Sequence, residues 1–234
     1  EPQKFGLGMK ELWEVKPENH KQGQVTHTMG WPLGMKTGGG SFMYHLEDNL
    51  VSIGFVVHLN YQNPYLYPYM EFQRFKHHPL ISQVLEGGRR VAYGARAITE
   101  GGFQSVPKLY FPGGVLIGCS AGFVNVPRIK GTHNAMKSGM LAAEAAYAAV
   151  QAGRQHDELA DYAEGWKKSW IYRDLYKVRN VKPSLKWGML PGTVLGGMHM
   201  WMNDLGLGAL DGWTQHHGKP DNEYLKPAAE MPKI

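Results

Sequence analysis

The sequence predicts an α+β fold in which a mostly antiparallel sheet is covered by helices. Five stretches of strand-like composition lie before residue 100, and only one short helical segment interrupts them. Strands that follow one another without a helical crossover pair most readily as antiparallel neighbours. The second half of the chain changes to longer segments with helical spacing, which supply the covering layer.

The predicted strands differ in their expected burial. Residues 50–59 are almost continuously apolar, which predicts a strongly buried strand. Turn residues between the first two strands, Pro17, Asn19 and Gly23, predict that these two strands pair with each other. The helical interruption covers residues 68–76 and ends before a proline. The strands are predicted at residues 5–15, 25–31, 41–46, 50–59 and 89–95.

Residues 113–150 combine a strand, a loop and a helix in that order. The apolar run at 115–117 predicts a buried strand, and an Ala-rich helix follows Gly131 or Thr132, either of which can cap it. The helix start presents free backbone N–H groups and the positive end of the helix dipole. Such a segment closes over the flavin in many flavoproteins, and it equally suits an ordinary strand-to-helix crossover. The side chains that share one face of this helix are Met136, Met140, Ala143, Tyr147 and Val150.

Two later segments carry further predictions. Residues 157–178 predict one helix, because acidic side chains fill its first half and basic ones its second, and Glu164 is spaced to pair with Lys168. Residues 187–210 are apolar, rich in Gly and Met, and interrupted by Pro191. These interruptions argue against a membrane-spanning helix, which needs about 20 apolar residues. A loop or hairpin that dips into one leaflet and a hairpin of the protein core are equally compatible with this composition.

Composition excludes several kinds of site. The single cysteine, Cys119, allows no intrachain disulfide and no iron–sulfur cluster held by this chain alone. The eleven histidines lack the spacing of metal ligands, and no dense block of Lys and Arg predicts nucleic-acid binding. Ser120 lies in a G-x-S-x-G sequence, but a loop precedes the next helix, whereas a hydrolase nucleophile enters its helix at once. The net charge of +5 fits an anionic surface as a partner.

Three glycines at residues 38–40 precede a predicted strand. Without a Cβ, this backbone can approach a ligand closely. A flexible hairpin loop explains the same glycines, and glycine content alone favours that simpler interpretation.

Several long motifs resemble the electron transfer flavoprotein–ubiquinone oxidoreductases. The motifs are GLGMKELWEV, GWPLGMKTGGGSFMYHL, YQNPYLYPYMEFQRFKHHP and YGARAITEGGFQSVPKLYFPGGVLIGCSAGFVNVPRIKGTHNAMKSG. The resemblance covers nearly the whole chain and weakens beyond Gly188. That family carries Cys at the position of Cys119, where related flavoproteins carry Asp, so this departure favours the family over its relatives.

The resemblance implies a domain organisation. Residues 1–100 are expected to form a ubiquinone-binding domain, and residues 101–180 the C-terminal part of an FAD-binding domain, with the strand-loop-helix of a glutathione-reductase-like fold. Residues 181–210 are expected to contact the membrane, and residues 211–234 to link to an iron–sulfur domain. No G-x-G-x-x-G follows a strand, so we expect the dinucleotide-binding motif upstream of this chain and the cluster downstream.

The resemblance also implies site residues. The backbones of Gly39 and Gly40 are expected to contact the ubiquinone headgroup, and Asn134 to hydrogen-bond the flavin ring. Lys182 and Lys186 precede the apolar segment and are expected at the level of lipid headgroups. The side chains expected to contact the membrane are Trp187, Met189, Leu190, Met198, Met200 and Trp201. The residues expected to bind FAD are Gly118, Cys119, Ser120, Gly122, Gly131, Thr132, His133, Asn134 and Ala135.

The implied function is electron transfer from reduced electron transfer flavoprotein through FAD to ubiquinone, with no catalytic side chain in this chain. FAD and ubiquinone are the expected cofactors, and a four-iron four-sulfur cluster is expected outside the chain. The implied enzyme is an electron-transferring-flavoprotein dehydrogenase that lies monotopically on the bacterial cytoplasmic membrane or the mitochondrial inner membrane, in contact with lipid.

Two alternatives stay open. One is a quinone- or lipid-binding module without catalysis, which would show no flavin absorbance. The other is a related FAD-dependent hydroxylase or isoprenoid-lipid reductase, which would use a pyridine nucleotide as reductant; Cys119 argues against it.

Overall fold

The computed structural model describes residues 1–207 and 212–234, which form two compact units. The sheet unit comprises Phe5–Ile98 and Asp221–Ile234. The helical unit comprises Glu1–Lys4 and Thr99–Pro220. An antiparallel sheet and a set of helices make up the chain, so the predicted α+β class is confirmed.

A five-stranded sheet and two helices build the sheet unit. Its elements are β1 (Phe5–Glu14), β2 (Val25–Thr28), β3 (Gly39–His45), β4 (Leu50–His58), α1 (Pro68–Lys76), α2 (Pro79–Leu85) and β5 (Arg89–Thr99). The order across the sheet is β2-β3-β4-β1-β5. The β2–β3, β3–β4 and β4–β1 pairs are antiparallel.

The first strand has a different partner from the one predicted. β1 pairs with β4 from Gly6 opposite His58 to Glu14 opposite Leu50. β2 ends at Thr28 and pairs with β3 instead, so the predicted pairing of the first two strands is wrong. The physical reason is length, because the nine-residue β4 makes more cross-strand contacts with the ten-residue β1 than the four-residue β2 could.

The core of the sheet unit lies between the sheet and helices α1 and α2. The predicted buried strand is confirmed, since β4 contributes Val51, Ile53, Phe55 and Val57, all almost inaccessible. The ring of Phe55 stacks on that of Phe75 with centroids 5.2 Å apart. The helices therefore cover one face of the sheet by burying aromatic side chains on it.

The helical unit begins with a small two-stranded ribbon. Its elements are β6 (Tyr110–Phe111), β7 (Gly114–Val115), α3 (Thr132–Gln151), α4 (Ala160–Lys168), α5 (Trp170–Lys177), α6 (Val181–Ser184) and α7 (Met189–Asp204). The predicted buried strand at 115–117 is wrong, since β7 ends at Val115 and Ile117 is 41% exposed. Only the two-residue β6 pairs with it, so no sheet buries a longer strand here.

Helix α3 confirms the predicted Ala-rich helix. Its buried face carries Asn134, Ser138, Ala142, Ala145 and Ala149. Small side chains on this face allow the neighbouring helix α4 to pack closely. The shared face predicted from the apolar spacing, which includes Met136, Met140, Tyr147 and Val150, is exposed.

The single helix predicted for residues 157–178 is wrong. Ser169 adopts an extended conformation with ψ of 164° and separates α4 from α5. Its hydroxyl donates to the Trp166 carbonyl at 2.6 Å, which satisfies a group that a continuous helix would have used. Glu164 pairs with Lys167 at 2.9 Å rather than with the predicted Lys168.

The loop or hairpin predicted for residues 187–210 is also wrong over its described part, which contains helix α7. Pro191 lies in the first turn, where its missing N–H breaks no helical hydrogen bond. Gly192 and Gly196 face α6, and a Cβ on Gly192 would lie 2.6 Å from the Ser184 carbonyl oxygen. The glycines therefore permit close helix packing instead of breaking the helix. Residues 208–210 lie outside the described residues.

Residues 221–234, part of the predicted linker, pack on the sheet unit. The Asp221 carboxylate accepts from the Phe5 N–H at 2.7 Å, and the Lys226 N–H donates to the Gln62 carbonyl at 2.9 Å. The Asn63 side-chain amide donates to the Pro232 carbonyl at 2.9 Å. This segment therefore belongs to the sheet unit in its contacts, and its role as a linker stays a prediction.

Candidate functional site

The glycine loop of the predicted flavin site turns sharply against helix α3. Gly118–Ala121 forms one 3-10 turn, and Gly118 has a φ of +52°. A Cβ on Gly118 would lie 2.9 Å from the Cβ of Ala135, so a larger residue would push the loop away from the helix. The Gly118 N–H donates to the Ser138 hydroxyl at 3.0 Å. The loop therefore lies directly beside the first turns of α3.

Neighbouring groups hold this loop in place. The Thr99 hydroxyl donates to the Cys119 carbonyl and lies 3.2 Å from the Cys119 sulfur. The Tyr162 hydroxyl donates to the Leu116 carbonyl at 2.8 Å. Burial raises the pKa of Tyr162 to about 12, so this phenol stays a hydrogen-bond donor over the whole physiological range.

The start of α3 has no side-chain cap. Gly131 occupies the cap position, and no side chain caps the helix there. Of the two predicted capping residues, Gly131 holds the position but contributes no side-chain bond, and Thr132 is the first helical residue. The first-turn N–H groups therefore keep the positive end of the dipole available to an anionic or electron-rich group.

Asn134 has one satisfied and one unsatisfied side-chain atom. The residue is fully buried, and its amide nitrogen donates to the Phe123 carbonyl at 2.6 Å. Its Oδ1 is buried and has no hydrogen-bond partner in the described structure. A buried acceptor without a partner costs about 1–3 kcal/mol. A ligand that donates a hydrogen bond would remove this cost.

His133, beside Asn134, has a related feature. Its ring stacks on that of Trp170 with centroids 5.6 Å apart and planes 6° apart. Its Nε2 is also buried without a hydrogen-bond partner among the described residues. The structure thus places two unsatisfied polar atoms at the start of α3, next to the loop of Gly118, and this arrangement fits the predicted flavin site.

Gly39 and Gly40 begin strand β3, where packing already requires glycine. A Cβ on Gly39, which has a φ of +155°, would lie 2.3 Å from the Val56 carbonyl oxygen and 2.5 Å from Leu33. A Cβ on Gly40 would lie 2.7 Å from the Thr28 carbonyl oxygen. The flexible-loop interpretation is therefore incomplete, since these two glycines are strand residues. Their contact with ubiquinone stays a prediction.

The predicted membrane-contacting residues lie in or beside helix α7. Trp187, Leu190, Met198 and Trp201 are 47–67% exposed, whereas Met189 and Met200 are half-buried. Val194 and Leu205, which the sequence analysis did not select, are also exposed. Their spacing of three and four residues places the exposed side chains of α7 in one stripe on the helix surface. The helical period applied to the sequence would have predicted this stripe. The stripe consists of Leu190, Val194, Met198, Trp201 and Leu205.

The expected position of Lys182 at lipid headgroups is wrong. Its side chain is 5% exposed, and its amine donates to the buried Glu100 carboxylate at 2.8 Å. A buried lysine is stable as an ion only when it is paired. Lys186, by contrast, is exposed and donates to the His216 carbonyl at 3.1 Å.

The described residues support neither a metal site nor a hydrolase active site. No group of three metal-ligating side chains occurs among them. Ser120 lies in the 3-10 turn, and the next α-helix begins only at Thr132, so the geometry is not that of a hydrolase nucleophile.

Comparisons with known proteins agree with the resemblance found in the motifs. Residues 5–98 match the family model described as "ETF-QO, ubiquinone-binding". They coincide with the main segment of the sheet unit, which begins at Phe5 and reaches Ile98.

Relatives named "Electron transfer flavoprotein-ubiquinone oxidoreductase, mitochondrial" match the chain throughout. The chain is 52% identical over 247 residues to that of Dictyostelium discoideum, which covers 100% of the chain and 40% of the relative. It is 51% identical over 243 residues to that of Homo sapiens, and this match covers 100% of the chain and 39% of the human relative. The predicted resemblance to ETF-QO is confirmed, and the chain spans about two fifths of the length of these relatives.

Solved structures of low sequence identity share the fold. A geranylgeranyl bacteriochlorophyll reductase-like protein from Thermoplasma acidophilum has a TM-score of 0.55 at 14% identity, covering 92% of the chain and 49% of that protein. A flavin-dependent brominase has a TM-score of 0.54 at 16% identity, and this match covers 94% of the chain and 54% of the brominase. No helix among the described residues has the length and apolar character needed to cross a bilayer.

Proposed function

We propose that the protein carrying this chain transfers electrons from reduced electron transfer flavoprotein through FAD to ubiquinone. The observation that carries the proposal is the identity of about 50% to ETF-QO relatives along the whole chain. The family match of residues 5–98 adds a ubiquinone-binding role for the sheet unit. The iron–sulfur cluster of the proposed electron path would lie outside this chain, whose single cysteine cannot hold one.

The helical unit would hold the flavin through the loop of residues 118–122 and the start of α3. FAD, when bound, supplies the group that accepts and passes on electrons. The uncapped helix start stabilises negative charge by its free N–H groups and dipole. Asn134 Oδ1, buried without a partner, would accept a hydrogen bond from the ring. The residues proposed to line this site are Gly118, Cys119, Ser120, Gly122, Gly131, Thr132, His133, Asn134 and Ala135.

The sheet unit would position the ubiquinone headgroup at the start of β3. Gly39 and Gly40 offer backbone without side chains, and β4 fixes that backbone on one side by pairing Gly39 with Val57 and Gly40 with Val56. A rigid backbone binds a flat carbonyl compound with little loss of entropy.

The exposed stripe of α7 would contact lipid. It presents apolar side chains along one helix face, and Trp187 and Trp201 have the amphipathic rings typical of membrane interfaces. Ubiquinone is dissolved in the hydrocarbon layer, so an enzyme that reduces it needs such a surface. The proposed location is the mitochondrial inner membrane or the bacterial cytoplasmic membrane, and the names of the relatives support the first to the extent that they are called mitochondrial.

An activity assay on the full-length protein tests this function. The purified protein should show flavin absorbance and should reduce a short-chain ubiquinone with reduced electron transfer flavoprotein as donor. A pyridine nucleotide should be a poor donor. Flavin absorbance with activity only from a pyridine nucleotide would instead support the hydroxylase or reductase alternative. Saturable quinone binding without flavin would support the binding module.

A further inference from the structure

A cavity of about 470 Å³ lies beneath the edge strand β2, outside the proposed flavin and quinone contacts. Its floor is formed by Thr26 and Thr28 of β2 and by Met43 of β3, and its roof includes Ile81 of α2. The volume is in the range of small-molecule sites.

The two ends of this cavity differ in polarity. At one end lie Lys21 and Gln24, with His45, whose N–H donates to the Gln24 carbonyl at 3.0 Å. At the other end lie Met29 and Trp31, both exposed at the cavity mouth. A strand rises about 3.4 Å per residue, so the five steps from Gln24 to Met29 span about 17 Å. The cavity is therefore an elongated slot with one polar and one apolar end.

His45 supplies an unused hydrogen-bond donor at the polar end. The residue is 4% exposed, and its Nδ1 accepts from the Lys21 N–H at 3.0 Å. The neutral ring must then carry its proton on Nε2, which forms no hydrogen bond with the described part of the chain. Nearby, the Nε2 of His20 is also buried without a partner among the described residues.

The polar end also carries basic side chains and no acidic one. None of the residues that line the cavity is acidic, and Lys21 and His45 at its polar end are basic. Burial, and then the charges of His20 and Lys21, lower the pKa of His45. An anionic group at this end would remove part of that repulsion.

We propose that this cavity binds a single-chain amphiphile with a carboxylate head, the chemical class of fatty acids. The carboxylate would accept hydrogen bonds from His45 Nε2 and attract Lys21, and the hydrocarbon chain would follow β2 toward Trp31. The charged head would thus lie at the polar end of the cavity and the hydrocarbon chain at its apolar end. This site is independent of the proposed flavin and quinone contacts.

Equilibrium dialysis of labelled dodecanoate against the full-length protein, below its micellar concentration, tests the proposal. One saturable site is expected in the parent protein. Thr26→Trp fills the slot and should weaken binding at least tenfold. Val25→Trp is the matched control, since it places the same side chain on the opposite, exposed face of β2 and should bind as the parent does. Thermal unfolding of both variants establishes that they are folded.

A second readout avoids any large side chain in the slot. Dodecanoate should change tryptophan fluorescence in the parent, and Trp31→Phe should remove that change. Dodecanol should compete at least fivefold less well than dodecanoate, because it lacks the charged head. The proposal is overturned if the parent shows no saturable binding, if the two tryptophan variants bind equally, or if dodecanol or a short-chain ubiquinone displaces dodecanoate at equal concentration.

Discussion

The side chain of Asn134 holds the backbone of Phe123 with a hydrogen bond of 2.6 Å between two fully buried residues. This bond ties the first turn of α3 to the loop that precedes it. It uses only the amide nitrogen of Asn134 and leaves the oxygen unsatisfied among the described residues. The residue therefore has a structural role, and the proposed flavin contact adds a second one.

Asn134→Ala should shift the flavin midpoint potentials of the full-length protein. It removes the oxygen proposed to accept a hydrogen bond from the flavin ring. The strength of that hydrogen bond differs between the oxidised and the reduced flavin. It should also cost about 1–3 kcal/mol of stability, because the Phe123 carbonyl loses its donor. Spectroelectrochemical titration of the purified variant, corrected for flavin content, measures the shift.

Asn125→Ala is the matched control for that titration. Asn125 is equally buried, but its Nδ2 donates to Asp174 at 3.1 Å and its Oδ1 accepts from the Arg128 N–H at 3.3 Å. It should lose stability without a change in potential. Unchanged potentials in Asn134→Ala, or equal shifts in both variants, would remove Asn134 from the flavin site.

Gly39→Val should lower quinone reduction in the full-length protein. The new side chain would meet the Val56 carbonyl and Leu33, and it would displace the backbone proposed to contact the headgroup. Gly34→Ala in the preceding loop is the control, because no atom of the described residues, apart from Gly34 and its two chain neighbours, lies within 4 Å of its Cβ position. The measurement compares quinone reduction with reduction of the flavin by the donor. Equal loss of both activities in Gly39→Val would mean misfolding rather than a quinone site.

Glu11→Gln should destabilise the sheet unit by about 3 kcal/mol at neutral pH, because it leaves a largely buried lysine unpaired. The Glu11 carboxylate accepts from Lys76 at 2.9 Å, Trp13 at 2.8 Å and Arg90 at 3.0 Å. Local unfolding free energies from amide hydrogen exchange of β1 in the full-length protein measure the effect. Glu14→Gln, in the same strand but in an exposed pair with Arg89, should cost less than about 1 kcal/mol.

The stabilisation that Glu11 contributes to the folded state should decrease as the pH falls. Burial alone would raise the pKa of Glu11, but hydrogen bonds from Lys76, Trp13 and Arg90 outweigh it and lower the pKa below the ordinary 4.5. The stabilisation is therefore complete above about pH 4.5 and is lost as the pH falls through the folded pKa. The difference between parent and Glu11→Gln should shrink in that range. A difference that stays constant down to low pH would contradict the assignment.

Leu190→Ser with Trp201→Ser should release the full-length protein from anionic liposomes and leave its flavin bound. Both residues belong to the exposed stripe of α7, so the change removes apolar surface without disturbing the core. Val25→Ser with Tyr93→Ser removes exposed apolar side chains elsewhere and should leave sedimentation unchanged. The related triple change at Met198, Met200 and Trp201 should also release the protein. Because Met200 is half-buried, the triple change also alters packing within the protein, so a loss of liposome binding is harder to assign to lipid contact alone. Sedimentation of the Leu190 and Trp201 variant equal to that of the parent would place the membrane contact elsewhere.

The sequence by itself determined the fold class, the family resemblance and several of the elements. Strand β4 was predicted from its almost continuous apolar run, helix α1 from its apolar residues and the proline that ends it, and helix α3 from its Ala-rich composition. The loop glycines beside α3 were identified from long motifs. These are properties of neighbouring residues, and no tertiary contact is needed to recognise them.

Only the tertiary structure decided which strands pair, where helices break and which polar groups are satisfied. β1 prefers β4 because two long strands bury more surface than a long and a short one. Lys182 is withdrawn from the surface because Glu100, far away in sequence, neutralises it. The unsatisfied atoms of Asn134 and His133 likewise depend on which groups other segments bring beside them. Long-range packing and pairing set these features, and the spacing of residues along a chain carries no record of them.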